Sequence, residues 1–248
     1  MSPFEVAAIL AAGFIAGLVN AVVGSGSLLT FPVLLGFGYT PVVANVSNTV
    51  GMAFGNVSGV VGYRRELAGQ RATVQSLAAP AAIGAITGAL LLLALPAVVF
   101  HSVVPVLILI AVALVIAQPR LTLMLEQHRE RAYGTWALKA GVFLTAIYGG
   151  YFGAAQGVIL IGLLGPLLNE GLQRVNALKN VLAAIVNGVA AVVFVLFAHV
   201  AWAPAVLLAL SSVAGGQAGA AVGRRLPPNV LRVVIVVAGL AAVVKLLA

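Results

Sequence analysis

Two short glycine-rich segments interrupt long apolar stretches of this sequence, and both could bind an anion. Gly24-Ser25-Gly26-Ser27 divides the stretch 4–37, and Gly153-Ala154-Ala155-Gln156-Gly157 divides the stretch 135–169. A break of this kind exposes backbone N–H groups at the start of the following short helix, where the helix dipole also favours negative charge. Hydroxyl and amide side chains would add further hydrogen bonds. The simpler alternative is that these glycines only allow helices to pack closely.

A second group of amides and hydroxyls follows each break, at the start of the next long helix. We expect these side chains to complete one binding shell: Asn45, Asn48 and Thr49 from the first half of the chain, and Asn176 and Asn180 from the second. Asn45, Asn48 and Thr49 are three and four residues apart and therefore share one helical face. Polar groups buried in a membrane need partners, which an oxyanion would supply. The alternative is that Asn45 and Asn176 cap their helices.

Lys179 and His101 are the candidates for a charge or a proton. Lys179 could give the site a positive charge, but the interpretation we favour is that it snorkels to the membrane surface with Arg174 as a topology signal. His101 could carry a proton, although a lone histidine near a membrane end is more often only interfacial. All five acidic residues are glutamates at segment ends or in loops, so the spans offer no carboxylate for a proton relay.

The composition excludes most other classes of protein. Of the 248 residues, 62% are hydrophobic and 7% are charged, and the mean hydropathy is +1.17. Soluble chains usually carry about 25% charged residues, so a soluble enzyme, a nucleic-acid binder and a disordered chain are excluded. The sequence has no cysteine, and it lacks the metalloprotease, nucleophile-elbow and P-loop motifs. We therefore expect no enzymatic activity, cofactor or metal site.

The apolar segments predict an all-α polytopic membrane protein. A helical crossing needs about 20 apolar residues, and segments of that length occur at about 41–63, 73–95, 97–118, 180–198, 204–223 and 229–248. The two longer stretches are each interpreted as a helix, a break and a second short helix.

The two halves of the chain match without a gap at an offset of 131 residues, which indicates a tandem repeat. The matches among rarer residue types are Gly26 with Gly157, Asn45 with Asn176, Asn56 with Asn187, Gly84 with Gly215, Gly88 with Gly219, and Pro96 with Pro227. A loop that carries Lys or Arg residues in one half is uncharged at the equivalent position in the other half, which predicts inverted repeats. In that arrangement the loops at 64–71, 119–139, 170–179 and 224–232 share the cytoplasmic side and hold 12 of the 13 Lys and Arg residues. The predicted organisation is repeat one at 1–118, a cytoplasmic linker at 119–134 and repeat two at 135–248.

The segment from Ala16 to Pro41 resembles the first-repeat signature of the TauE/SafE sulfite exporter family. Its glycine-rich break, Pro32 and the polar helix start Ala44-Asn45-Val46-Ser47-Asn48-Thr49 occur in the same order, and the resemblance recurs at 149–187 and 223–232. It implies a bacterial plasma-membrane permease for sulfite, other sulfur oxyanions or organosulfonates. Many members carry three consecutive glycines at the break, so the two serines of this chain would alter the size or charge of the preferred substrate.

These observations together predict a secondary transporter that moves a small anion by alternating access. Its partners would be the anion, the lipid bilayer and, as a further candidate, a second copy of the chain, with no nucleic acid. The residues leave two alternatives open. One is a non-transporting membrane scaffold or assembly subunit, and the other is an anion channel.

Overall fold

The structure is a computed structural model that describes residues 1–127, 135–168, 170–222 and 228–247. These residues form ten α-helices and no strand, which confirms the all-α fold and both predicted helix breaks. In chain order the helices are α1 (Pro3–Val22), α2 (Ser27–Gly36), α3 (Pro41–Gly62), α4 (Arg71–Ala94), α5 (Ala97–Gln127), α6 (Thr135–Tyr151), α7 (Gln156–Leu167), α8 (Leu172–Phe197), α9 (Trp202–Val222) and α10 (Pro228–Leu247).

Five of the described helices are long and apolar enough to cross a membrane: α1, α4, the Ala97–Ala117 part of α5, α8 and the Trp202–Ala221 part of α9. The helix α3 has 22 residues but carries six amide or hydroxyl side chains. By contrast, α2 and α7 have 10 and 12 residues, too few to cross alone. Each therefore forms a broken pair with the helix that precedes it.

Two helix boundaries differ from those expected. Helix α8 begins at Leu172 rather than near 180, because its polar first two turns find partners on α1 and need not leave the protein interior. Helix α5 continues to Gln127, so the linker expected at 119–134 begins inside a helix. Residues 128–134, and the arginines at 224 and 225, lie outside the described residues.

The packing of the helices follows the internal repeat. At the offset of 131 residues, α1 is equivalent to α6, α2 to α7, α3 to α8, α4 to α9 and α5 to α10. Helix α1 packs on α9, and their equivalents α6 and α4 also pack together. The contacts of α3 with α9 and of α2 with α10 likewise have counterparts in α8 with α4 and α7 with α5. Each half of the protein thus completes the packing of the other.

Glycine contacts give the relative directions of the helices. Gly215 of α9 lies against Phe14 of α1, and Gly219 lies against Leu18, so these two helices are parallel. The equivalent pair, α4 and α6, shows the same order: Gly84 lies against Phe143 and Gly88 against Ile147. These four glycines therefore allow two pairs of parallel helices to pack closely.

The equivalent helices α3 and α8 run in opposite directions where they meet. Gly59, near the end of α3, lies next to Asn180, near the start of α8. At the other end, Ser47 near the start of α3 accepts a hydrogen bond of 2.9 Å from the N–H of Ala201, just after α8. The end of α1 lies with the start of α8, because Asn180 donates to the carbonyl oxygen of Ala21. The end of α9 lies there too, because Gly62 at the end of α3 lies against Ala220.

Aromatic rings pack beside the second break. Phe152, in that break, makes an edge-on contact with Phe31 of α2 at 5.2 Å between ring centroids. Phe100 of α5 contacts both Phe152 and Tyr151. Burial of these rings fixes the short helices against α5, since aromatic contacts add to the free energy gained from burying their area.

We expect Gly88→Ala and Gly215→Ala each to destabilise the fold. A Cβ at these positions would lie 2.0 Å from the carbonyl oxygen of Ile147 and 1.9 Å from that of Phe14, and overpacking of this kind costs about 1–3 kcal/mol. The measurement is the Tm of the purified protein in detergent. The matched control is Gly188→Ala in α8, where the new Cβ meets nothing within 4 Å, so its Tm should be unchanged or higher. An equal loss of Tm in all three variants would contradict the packing described.

Candidate functional site

The two helix breaks meet backbone to backbone. Gly24 and Gly153 adopt φ values of +87° and +76°, which favour glycine. The N–H of Gly157 donates a 3.0 Å hydrogen bond to the carbonyl oxygen of Gly24. A Cβ on either Gly24 or Gly157 would lie 2.4 Å from the Cα of the other, so only glycine fits at this contact.

The carbonyl end of α1 is capped by side chains from α8. The ammonium of Lys179 donates to the carbonyl oxygens of Asn20 at 2.9 Å and Ala21 at 3.2 Å. The amides of Asn176 and Asn180 donate to the same Ala21 oxygen, each at 3.2 Å. Lys179 is fully buried. A cation is favoured here because the carbonyl end of a helix carries a partial negative charge.

The carbonyl end of α6 is capped in the equivalent way by the other repeat. Asn45 of α3 donates to the carbonyl oxygen of Tyr151 at 3.0 Å. The hydroxyl of Tyr148 donates to the carbonyl oxygen of Ala154 within the break. Asn45 and Asn176 occupy equivalent positions, and each binds the broken helix of the opposite repeat. Each break thus depends on the other half of the protein for its hydrogen bonds.

Four described residues with unpartnered buried polar atoms form two equivalent pairs, whereas the amide nitrogen of Asn56 is unpartnered and its equivalent Asn187 donates to Ala183. Within the described part of the chain, the hydroxyl of Ser25 and both amide atoms of Gln156 have no hydrogen-bond partner, and these residues are 131 positions apart. The Oδ1 atoms of Asn45 and Asn176 are likewise unpartnered. All four residues are at most 5% exposed. Leaving buried polar atoms unpaired is costly, so these two pairs are the candidate contacts for a polar ligand.

These polar groups do not form the single shell expected from the sequence. Asn45 and Gly59 are 14 residues apart on α3, about 21 Å at 1.5 Å per residue, and Gly59 lies beside Asn180 and Ala21. Asn45 and the Asn176–Asn180 group therefore lie at opposite ends of α3, too far apart for one small anion to contact both. The Gly24–Gly157 contact lies between them, with Ser25 and Gln156 adjacent to it in the chain.

Comparisons with known proteins agree with this architecture. Residues 9–246 match the family described as Sulfite exporter TauE/SafE. The chain belongs to this family. It is 25% identical over 248 residues, all of this chain and 91% of the relative, to a probable membrane transporter protein, YfcA, of Escherichia coli K12. It is 28% identical over 237 residues, 96% of this chain and 90% of the relative, to the probable membrane transporter protein ORF9 of a Sinorhizobium species. No solved structure matches the chain.

The Sulfite exporter TauE/SafE family and these relatives indicate a membrane transporter. Together with the apolar helices, they identify the chain as a multi-pass membrane protein. Inside a membrane the freed backbone groups of each helix break must find partners within the protein, which is what the caps on α1 and α6 provide.

Several residues expected to bind the anion are engaged by the protein instead. The N–H of Gly26 donates to Asn20 at 3.3 Å, and the hydroxyl of Thr49 donates to the carbonyl oxygen of Asn45 at 2.9 Å. The Oδ1 atom of Asn48 accepts a hydrogen bond from the hydroxyl of Thr30. Ser27, half-buried, is the first residue of α2. By contrast, Ser25 and Gln156 keep polar atoms without a partner among the described residues.

For the polar helix starts, the favoured interpretation of Lys179 is wrong, and so is the alternative that the asparagines are caps. Lys179 does not snorkel to the surface, because it is fully buried and its ammonium binds the end of α1. Asn45 and Asn176 do not cap their own helices, since Thr40 and Gly171 hold the N-cap positions. His101 is exposed and lines a separate cavity of about 390 Å³, together with Thr40, Pro41, Val42, Ala97 and Val98.

Sequence reasoning overlooked Asn20 as a structural residue of the site. Its Oδ1 accepts from Gly26, and its amide donates to Asn56, so it links the first break to α3. The available signal was an amide within an apolar run, four residues before the first glycine of the break. Tyr148 was also overlooked, because an isolated tyrosine in a membrane helix gives no indication of its partner.

We expect Gly24→Ala to destabilise the protein more than Gly38→Ala. Both glycines have a positive φ, +87° and +86°, and an alanine there costs about 1–2 kcal/mol. Only Gly24 faces the opposite break, because a Cβ at Gly38 meets nothing within 4 Å. The contact with Gly157 should add about 1–3 kcal/mol, measured as a lower Tm in detergent. Equal losses in the two variants would show that the contact between the breaks adds nothing.

Proposed function

We propose that this chain is a secondary transporter that moves small anions across a bacterial plasma membrane by alternating access. Sulfite, related sulfur oxyanions and organosulfonates are the first substrates to test, because the family description names sulfite. The observation that carries the proposal is the set of unpartnered buried atoms on Ser25, Gln156, Asn45 and Asn176, which recur at equivalent positions in both repeats.

The charge of the site supports an anionic substrate. Lys179 is a buried ammonium whose hydrogen bonds go to two backbone carbonyls, which are neutral groups. A charge inside a membrane protein usually pairs with an opposite charge or marks a substrate pathway. Export of an anion from a cell with a negative interior is favoured by about 2.3 kcal/mol per charge per 100 mV. An anion of this kind would therefore need no coupling ion to leave.

The directions of the helices support the repeat arrangement that alternating access requires. Equivalent helices α3 and α8 run antiparallel, and helices of each half pack against helices of the other half. Inverted repeats that meet at two broken helices are a common construction of secondary transporters, with the substrate site at their interface. In such folds one repeat rocks against the other.

Helices α3 and α8 are held together by contacts at both of their ends. This supports a closed conformation that lies between two conformations, each open at one end. Arg174 forms an ion pair with Glu170 at 2.5 Å and donates to the carbonyl oxygen of Ala68 at 2.9 Å, which holds the α3–α4 connection against α8. At the opposite end, the N–H of Ala201 donates to Ser47. We propose that transport opens these two contacts in turn.

Asn45→Ala combined with Asn176→Ala should lower anion flux at least tenfold. The change removes both unpartnered Oδ1 atoms and one cap from each broken helix. Flux of labelled sulfite or an organosulfonate into proteoliposomes is the measurement, at matched amounts of monodisperse protein. Asn187→Ala is the control, because Asn187 donates within its own helix to Ala183 at 3.0 Å and should leave flux unchanged. Normal flux in the double variant would count heavily against the proposal.

A disulfide between Ser47→Cys and Ala201→Cys should stop transport reversibly. The native chain has no cysteine, and the two positions are joined by a hydrogen bond of 2.9 Å. Oxidation should abolish flux and a reductant should restore it, while each single variant stays active. A carrier should also show saturable flux that is stimulated by substrate on the opposite side. Full flux through the oxidised protein would favour a channel, and no flux in any form would favour a scaffold.

A further inference from the structure

The polar groups that would contact an anion lie at three levels along α3. One end is formed by Asn176, Lys179 and Asn180 at the end of α1. The opposite end is formed by Asn45 at the end of α6, and the two ends are about 21 Å apart at 1.5 Å per helical residue. Ser25 and Gln156 lie between them, next to the Gly24–Gly157 contact in the chain. We call the two outer levels the Lys179 end and the Asn45 end.

The two ends are equivalent in the repeat but differ in charge. The residue equivalent to Lys179 is Asn48, which accepts a hydrogen bond from Thr30 on α2. The residue equivalent to Thr30 is Ile161, whose apolar side chain cannot form the corresponding hydrogen bond with Lys179. Lys179 instead reaches across to the carbonyls of Asn20 and Ala21. Only the Lys179 end therefore carries a formal charge among the groups named at either end.

The ammonium at the Lys179 end retains the capacity to bind an anion. An ammonium has three N–H donors, and the carbonyls of Asn20 and Ala21 accept two hydrogen bonds from it. The carbonyl end of α1 supplies about half an elementary negative charge, which offsets only part of the positive charge. The Asn45 end offers amide dipoles without a formal charge.

We infer that Lys179 makes the anion affinity differ between the two faces of the transporter. The anion binds more tightly when the site is open to the face nearest the Lys179 end. That face holds the α3–α4 connection with Arg64, Arg65 and Arg174, and the positive-inside rule makes it cytoplasmic. The inference rests on the proposed function. Unequal affinities at the two faces are compatible with equilibrium, because the two empty conformations differ in free energy by a compensating amount.

The test measures the half-saturating sulfite concentration separately from each face in proteoliposomes. Ala72→Cys, exposed in the first turn of α4 on the Lys179 face, reports the orientation of the protein through labelling with an impermeant maleimide. Labelling is done on a separate sample so that transport is measured with the cysteine unmodified, and the half-saturating concentration should then be at least tenfold lower on the Lys179 face. Lys179→Asn should bring the ratio close to one, mainly by weakening binding on that face. Asn48→Lys combined with Lys179→Asn should invert the ratio.

Lys139→Asn is the matched control, since it removes a cation that lies beside Trp136, 5.9 Å from the ring centroid, and should keep the original ratio. If the exchanged double variant does not fold, Lys179→Asn alone decides the question. A ratio near one before substitution, or a ratio unaffected by Lys179→Asn, would overturn the inference while leaving anion transport intact. Absence of flux for sulfite and organosulfonates without any substitution would instead overturn the proposed function.

Discussion

The need to satisfy the backbone groups at two helix breaks inside a membrane is the constraint that organises the interior, where the breaks meet in a hydrogen bond from Gly157 to Gly24. A helix broken inside an apolar phase leaves carbonyls and N–H groups that no water can satisfy. The protein solves this problem reciprocally, because α8 of one repeat caps α1 of the other, and α3 caps α6. Neither broken helix is complete alone, so the two repeats are required for each other's stability as well as for any site between them.

A symmetric backbone here carries asymmetric chemistry. The matched asparagines 45 and 176 keep the same task in both repeats, whereas the matched pair Asn48 and Lys179 does not. The divergence is accompanied by a change of neighbour, since Thr30 satisfies Asn48 and its equivalent Ile161 cannot. A duplicated fold can thus retain the bonds that close its breaks and still differ in charge at its two ends.

The helix breaks could be predicted from the sequence, because clustered glycine and polar residues are unfavourable within a continuous apolar helix. The burial of Lys179 could not. A lysine near a loop normally reaches the surface, and the carbonyls that bind it belong to residues about 160 positions earlier in the chain. Nor could spacing show that Asn45 and Asn176 lie far apart. Both follow a break in the chain, but antiparallel α3 and α8 carry them to opposite ends.

The separation of the two ends gives the central contact a second role in the proposed cycle. In that cycle, an anion that passed from one end to the other would have to cross the level of the contact between Gly24 and Gly157. Rocking of the repeats would separate this pair and free the N–H of Gly157, which is itself a donor suited to an anion. Ser25 and Gln156 stand next to these glycines with unpartnered polar atoms. The hydrogen bond from Gly157 to Gly24 could therefore be replaced by hydrogen bonds to the anion when the anion reaches this level.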